Sequence, residues 1–487
     1  MIQLTYEQKQ MLGLNAVVEL LNPASCFGRE KSRRLMPYTV SQKQELLREL
    51  DNIEKICAHF DEAKPYIDAL NIIFGHFKDI RPTLTRETED IGFNDIELFE
   101  IKYFLIQSEK MMEPWQKLND LCKLQGFSFE NTVQALDTVD PDRRRIPGFY
   151  ISERYSQKLK DIRQDKKEIE LKIRKAVSEE EKQMLKAKRL RIVVGEEEEE
   201  KNIRREITQA LGPALTDMQK NIKMTADLDL LLQKARLAKT CGCAKPKITD
   251  AEVYFEDAVH PYVARCLKEQ GKTFTPISIA AGRGASVITG ANMGGKSVTL
   301  KTVALNVLLT LCGFYPFAKK AGVPIFEEFY FIAEDKQSPE EGLSSFGAEI
   351  VMLDEVIRAS KRAFCMIFLD EFARGTNPDE GARIVRAVTK YLNASRSVAL
   401  LTTHYDHVAE CAGRHYQVIG LKEVDMKKLK SEIAAAGARK GVDLIASHMN
   451  YGIYQVYGET DCPKDALNIC RMLGLDEDVL NIIEKSY

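Results

Sequence analysis

The stretch Val287-Ile288-Thr289-Gly290-Ala291-Asn292-Met293-Gly294-Gly295-Lys296-Ser297 decides how this sequence is read. Its first three residues are β-branched, as a buried strand requires. Residues 290–297 then match GxxxxGK[ST] in full, and an apolar-periodic run that opens a helix follows near Val298. Strand, glycine-rich turn and helix in that order form a phosphate cradle. The glycines let backbone N–H groups turn inward, and the helix adds the positive end of its dipole. In that cradle Gly290, Ala291, Asn292, Met293, Gly294 and Gly295 wrap the phosphates. Lys296 reaches the β- and γ-phosphates, and the Ser297 hydroxyl holds Mg²⁺.

Two further stretches complete the chemistry of ATP hydrolysis. Phe364-Cys365-Met366-Ile367-Phe368-Leu369-Asp370-Glu371 is a buried apolar strand that ends in two carboxylates. Asp370 at its tip suits Mg²⁺. Glu371 suits the work of orienting or deprotonating the attacking water, which must lie in line with the γ-phosphoryl group. The strand Val398 to Thr403 ends at His404, where an imidazole at the sheet edge is placed to sense the γ-phosphate. Taken singly, each of these has a plain structural reading: a glycine turn, solvated acids, a satisfied histidine. Together, after a strand and in this order, they specify a nucleotide site with Lys296, Glu371 and His404 as its catalytic residues.

Working outward, residues 246–487 alternate short apolar runs (286–289, 365–369, 398–402) with helical stretches, which predicts a largely parallel sheet with helices on its faces. Residues 1–125 are helical by periodicity, as in Leu46, Leu47, Leu50, Ile53 and Ile56. Residues 126–245 have a different texture. Tyr155, Leu159, Ile162, Ile169, Ile173 and Ala176 fit a heptad seam, with Lys166 at one seam position, and Ile203, Ile207, Leu211, Leu215, Met218 and Ile222 repeat the pattern. That predicts an antiparallel coiled-coil hairpin joined near 190–200, with Gly212-Pro213 kinking its return. The acidic run Glu196 to Glu200 reads as a solvated helix start, and one that repels a phosphate backbone.

Composition sets the outer limits. Hydrophobic residues at 44% and charged residues at 29% support buried cores. A net charge of −2, from 70 basic and 72 acidic residues, gives no global attraction to nucleic acid or anionic lipid. The 11 cysteines are read as reduced thiols in a cytoplasmic protein; Cys241 and Cys243 lack the companions of a zinc site. No apolar run reaches membrane-spanning length, the longest being broken by Asn306, Gly313 and Pro316.

These motifs resemble the MutS family, the ABC-like ATPases of DNA mismatch repair. Residues 289–297 resemble that family's TGPNMGGKS, with Ala291 where the family has proline. Leu369-Asp370-Glu371-Phe372-Ala373-Arg374-Gly375-Thr376 is similar to MDE-x-GRGT, and Thr402-Thr403-His404-Tyr405 to ATHY. Residues 298–303 look like the paralogues that carry a C-terminal Smr nuclease module. Gly342-Leu343-Ser344-Ser345-Phe346-Gly347-Ala348-Glu349 resembles G-x-STF-x-x-E, and His260-Pro261 resembles the dipeptide leading into the ATPase domain. Gly28-Arg29-Glu30-Lys31 is similar to the start of the family's core region, and Asp227-Leu228-Asp229 to the end of its lever helices. The resemblance implies that Ser344 or Ser345 reaches the γ-phosphate of a partner subunit's ATP, that Asn292 lies near the γ-phosphate, and that Phe274 packs on adenine. It also implies a helical core domain, a lever arm and an ABC-like P-loop ATPase domain with a C-terminal helical tail, and a homodimer or a dimer with a related ATPase. Neither the family's mismatch-reading domain nor an Smr module is expected in this chain. Two uses of such an engine follow: a DNA clamp, or a remodeller of a protein client. Short MutS-like chains accompanying cobalamin-dependent lysine and ornithine aminomutases, where they look like reactivases, illustrate the second use.

Overall fold

The computed structural model describes residues 4–86, 92–290, 294–333, 345–421 and 448–458, with scattered positions between 424 and 482. Its helices are α1 (Tyr6–Met11), α2 (Leu14–Leu20), α3 (Cys26–Arg33), α4 (Lys43–Ala58), α5 (Phe60–His76), α6 (Arg81–Thr85), α7 (Asp95–Cys122), α8 (Val133–Val139), α9 (Gln157–Lys175), α10 (Glu179–Cys241), α11 (Pro261–Glu269), α12 (Lys296–Leu311), α13 (Ser345–Arg362) and α14 (Pro378–Asn393). Its strands are β1 (Lys247–Thr249), β2 (Val253–Ala258), β3 (Ile277–Ala281), β4 (Gly284–Thr289), β5 (Lys320–Pro324), β6 (Glu328–Ile332), β7 (Cys365–Asp370), β8 (Val398–Thr403), β9 (Arg414–Gly420) and β10 (Asn450–Val456). The chain is thus mostly helical, with mixed sheets. It divides into two compact units: Met1–Leu21 with Leu35–Glu54 and Lys234–Tyr487, and Asn22–Arg34 with Lys55–Gln233. Among the described residues, no helix is long and apolar enough to cross a membrane.

The first unit is built on two sheets. The larger runs β10-β9-β4-β8-β7-β6, parallel except for β10 at one edge. The smaller runs β1-β5-β2-β3. Strands β4, β7 and β8 are buried along their whole length, as expected of parallel strands covered on both faces. On one face Val287, Ile367, Leu369, Ala399 and Leu401 share a core with Leu353 and Val356 of α13 and with Val385 and Leu392 of α14. Helix α12 packs against β7 and β8 of the large sheet and β2 and β5 of the small one. Its apolar residues point all round, because both sides are covered. Asn306, which interrupts that apolar run in the sequence, is fully buried and fully used. Its amide donates to Val259 and Thr302 carbonyls at 3.2 and 2.9 Å, and its oxygen accepts the Phe317 N–H at 2.7 Å.

The C-terminal end of α12 leaves carbonyls in need of donors. The Tyr38 N–H supplies one to Leu311 at 2.8 Å. Lys234, 2% exposed at its side chain, donates to the Cys312 carbonyl at 2.7 Å and pairs with Glu49 at 2.6 Å, its ammonium 4.4 Å from the Phe314 ring centre. A cation at this end also answers the helix dipole.

In the second unit, the two stretches read as core start and lever end meet. Asp229 is fully buried and accepts hydrogen bonds from Ser25 N–H (2.7 Å), Ser25 Oγ (2.6 Å) and Ala24 N–H (3.1 Å), at the start of α3. A Cβ on Gly28 would lie 2.3 Å from Asp229 Oδ2, so glycine is the side chain that fits. Phe27, Phe74 and Phe104 gather around Phe77 with ring centres 5.3–6.5 Å from it.

The hairpin differs from the sequence reading. Its turn lies at Ala176–Ser178, where α9 ends and α10 begins, and not at 190–200. The overlooked signal is Ser178 followed by Glu179, Glu180 and Glu181, a serine and a triple acid where a helix N-terminus is most stable. Gly195, expected in the joint, sits inside α10, as do Gly212 and Pro213. The acidic run is therefore mid-helix. Glu196 pairs with Arg163 (3.1 Å) and Lys166, Glu199 with Lys158 and Ser156 (2.8 and 2.6 Å), and Glu200 with Arg163 (2.8 Å); Glu197 and Glu198 stay exposed. Burial raises the Glu196 pKa, but hydrogen bonds from Lys166 and Arg163 outweigh it and hold the carboxyl below its ordinary value. These pairs, with Glu170–Arg189 at 2.7 Å, run antiparallel and fix the register of α9 on α10.

Removing one member of the Lys234–Glu49 pair leaves a charge in a poorly solvated place. Lys234→Ala should cost about 3 kcal/mol and lower the calorimetric melting temperature, while Lys234→Met combined with Glu49→Leu should recover most of the loss.

Candidate nucleotide site

The site lies at the C-terminal ends of β4, β8 and β7. The parallel register sets Thr289 opposite Thr403 and Asp370 opposite Thr402. Gly290 follows β4 with φ +151° and Gly295 caps α12 with φ +88°, conformations that a side chain resists. Space is also short. A Cβ on Gly290 would meet Val418 at 3.0 Å, and one on Gly295 would meet Tyr451 at 3.0 Å. Helix α12 begins at Lys296, two residues earlier than the sequence suggests. Residues 291–293, including Ala291, Asn292 and Met293, lie outside the described residues, as does Ser344; Ser345 is the first residue of α13.

Lys296 is 3% exposed. Its ammonium donates to the Gly290 carbonyl at 2.7 Å and lies 3.1 Å from Glu371 Oε1. The other oxygen of Glu371 meets Arg374 at 3.2 Å. Ser297 Oγ donates to Asp370 Oδ1 at 3.0 Å, and Thr402 Oγ1 donates to the same oxygen at 2.6 Å. A hydroxyl and a carboxylate side by side form the hard oxygen set that suits Mg²⁺, which keeps waters and takes phosphate oxygens for its other ligands. Asp370 and Ser297 are the residues that would hold it.

The loop after β7 is strained. Glu371 and Ala373, neither of them glycine, have φ +47° and +62°. Such conformations persist where the surroundings enforce them, and they cluster at functional sites. Here the Glu371 N–H donates to Thr402 Oγ1 (2.9 Å), the Ala373 N–H to Glu349 Oε2 (3.1 Å), and Tyr405 Oη to the Ala373 carbonyl (3.1 Å). Gly381 makes room for that hydroxyl, which would stand 2.5 Å from a Cβ there.

His404 follows β8 beside Tyr405, ring centres 4.5 Å apart. Its Nδ1 is buried with no hydrogen-bond partner among the described residues. Burial lowers its pKa, and the nearby Glu371 carboxylate opposes that only in part. Burial thus favours the neutral imidazole, whose Nδ1 has no partner among the described residues.

A cavity of about 650 Å³ opens from Gly294–Ser297 past Glu371 to a wall made by Phe274, Leu267, Met449 and Tyr451. Phe274, singled out in the sequence as the adenine-packing residue, lines this wall. Tyr451 and Met449 escape the sequence reading. They come from β10 and the residue before it, and nothing in the local sequence links them to a loop 150-odd residues earlier.

A strand running into Gly290, a helix starting at Lys296, and a neighbouring strand ending in Asp370-Glu371 stand together at one edge of a largely parallel α/β sheet. The family model of MutS domain V matches residues 286–472. The chain is similar to proteins named Endonuclease MutS2. It is 31% identical over 214 residues to that of Carboxydothermus hydrogenoformans, covering 43% of this chain and 26% of the relative. The MutS2 of Caldicellulosiruptor saccharolyticus is 32% identical over 247 residues (50% and 30%), and that of Caldanaerobacter subterraneus 28% over 296 residues (59% and 34%). The likeness to the MutS family is carried by residues 286–472, the part that matches domain V, and by these relatives. The match spans about a quarter to a third of the length of these relatives.

An NMR titration of the histidine ring carbons should place the His404 pKa below the ordinary 6.5, since burial penalises the charged ring.

Proposed function

We propose that this chain is the ATPase engine of a MutS2-like protein that acts on DNA, binding and hydrolysing Mg²⁺-ATP at sites completed by a second ATPase subunit. The observation that carries the reading is the contact of Lys296 with both the Gly290 carbonyl and Glu371, beside the Ser297–Asp370 pair. In this arrangement Lys296 is held where a triphosphate needs it, and its ion pair occupies the residue that would activate water. A bound triphosphate competes for the ammonium and releases Glu371 for that task. His404, whose Nδ1 has no hydrogen-bond partner among the described residues, would sense the γ-phosphate. Asp370 and Ser297 would hold Mg²⁺, which would supply neutralisation of phosphate charge. Adenine has the wall of Phe274 and Tyr451 to stack on.

The start of α13 supports completion in trans. Ile350, Val351 and Met352 are exposed large apolar side chains about one and a half to two turns beyond Ser345. A homodimer, or a dimer with a related ATPase, would cover them and bring Ser344 or Ser345 to the facing nucleotide.

The hairpin bears on the choice of client. Five acids at a free, solvated helix start would count against DNA. With Glu196, Glu199 and Glu200 paired inside the hairpin, that objection weakens. Lys172, Arg174, Lys175, Lys186, Lys188 and Arg191 are exposed near its turn, and no ion pair to them is found among the described residues. Cations in this state suit phosphates. The relatives named above do not support the reactivase reading.

Glu371→Gln should lower turnover about 10²- to 10⁴-fold. It should bind ATP no more weakly than the wild type, because the competing ion pair is gone. Lys296→Ala should weaken Mg²⁺-ATP binding by about tenfold or more in calorimetry. Wild-type turnover in Glu371→Gln would sink the assignment. Binding to duplex DNA should fall steeply as salt rises, and charge-removing changes at Lys186, Lys188 and Arg191 should flatten that slope by roughly one unit for each phosphate no longer neutralised. Salt-independent binding would point to a protein client instead.

A further inference from the structure

Helix α13 has two faces at its start. Val351 and Met352 face solvent, whereas Glu349 turns inward and is 6% exposed. The inward carboxylate reaches the loop that carries Glu371. Its Oε2 accepts the Ala373 N–H at 3.1 Å, and Ala373 is one of that loop's two left-handed residues. Elsewhere in the loop, the Glu371 N–H is tied to Thr402 of β8 and the Ala373 carbonyl to Tyr405. Glu349 is thus the side chain of α13 that grips this loop by its backbone.

We propose that Glu349 is a positioning residue. It holds Ala373 in the left-handed region, and through Phe372, the single residue between them, it fixes where the Glu371 carboxylate points. It also makes α13 the element through which contact at Ser345–Met352 reaches the water-activating group of the same chain. This rests on the reading of Glu371 as the water-activating residue. Glu349 touches no substrate, so its loss should damage the chemical step while leaving nucleotide binding nearly intact. The acceptor oxygen, and not the negative charge, does the holding; glutamine keeps that oxygen and alanine does not.

The test has two arms on the full chain. In the first, amide hydrogen exchange is measured without nucleotide. Glu349→Ala should speed exchange in the peptide spanning Phe372–Arg374 by about tenfold or more, while peptides of β4 and α12 stay as in the wild type; Glu349→Gln should stay near the wild-type rate. In the second, Glu349→Ala should lower kcat by about tenfold or more with the ATP Kd changed by less than about threefold, and Glu349→Gln should restore kcat. Unchanged exchange at 372–374, a glutamine variant as impaired as alanine, or kcat and affinity falling together would overturn the proposal. The exchange arm reads the tie directly. A wild-type chain that shows no turnover therefore overturns the ATPase reading, and the exchange result still decides whether Glu349 holds the loop.

Discussion

An ammonium group that is almost wholly out of water has to be surrounded by acceptors, and the first unit is arranged around that demand. Lys296 finds them in the Gly290 carbonyl and the Glu371 carboxylate. One acceptor lies six residues earlier in the chain, and the other follows a different strand. Both must be present in the same place, so the turn after β4 and the turn after β7 are fixed relative to each other. The phosphates of a nucleotide are the natural replacement for these acceptors, because they offer the same geometry with more charge. On the proposed reading, the Lys296–Glu371 contact is one that a bound triphosphate would be equipped to break.

Strand order makes that contact available. Strand β8 lies between β4 and β7, and its tip carries Thr402 opposite Asp370 and Thr403 opposite Thr289. One hydroxyl, that of Thr402, donates to the carboxylate that suits Mg²⁺ and accepts the backbone N–H of the next residue, Glu371. A shift of one residue in this register would turn every one of these side chains to the other face. The apolar cores on both sides of the sheet, with α12 on one and α13 and α14 on the other, are what forbid that shift.

The hairpin shows how charge in a sequence and charge in a structure differ. A run of five acids reads as a repulsive patch. In the folded chain three of the five are consumed by cations of α9, and the exposed positive residues nearer the turn set the local field. Pairing is decided by the antiparallel register of two helices, which follows from where the turn falls. Ser178 and the glutamates after it place that turn at 176–178, and misplacing it leaves the acids of 196–200 looking unpaired.

What the sequence determined by itself was the local chemistry: a glycine turn between strand and helix, a strand ending in Asp370-Glu371, and a histidine after β8. Each is written in consecutive residues, because backbone conformation and strand burial leave local signatures. What only the tertiary structure decided was which distant side chains complete those pieces. Tyr451 and Met449 on the wall facing Phe274, Thr402 bridging to Asp370, Glu349 under Ala373, and Lys234 at the end of α12 are all brought in across long stretches of chain. Nothing local marks them, since a tyrosine, a threonine or a glutamate on an ordinary element gains its role from strand order and packing, and those are properties of the whole chain.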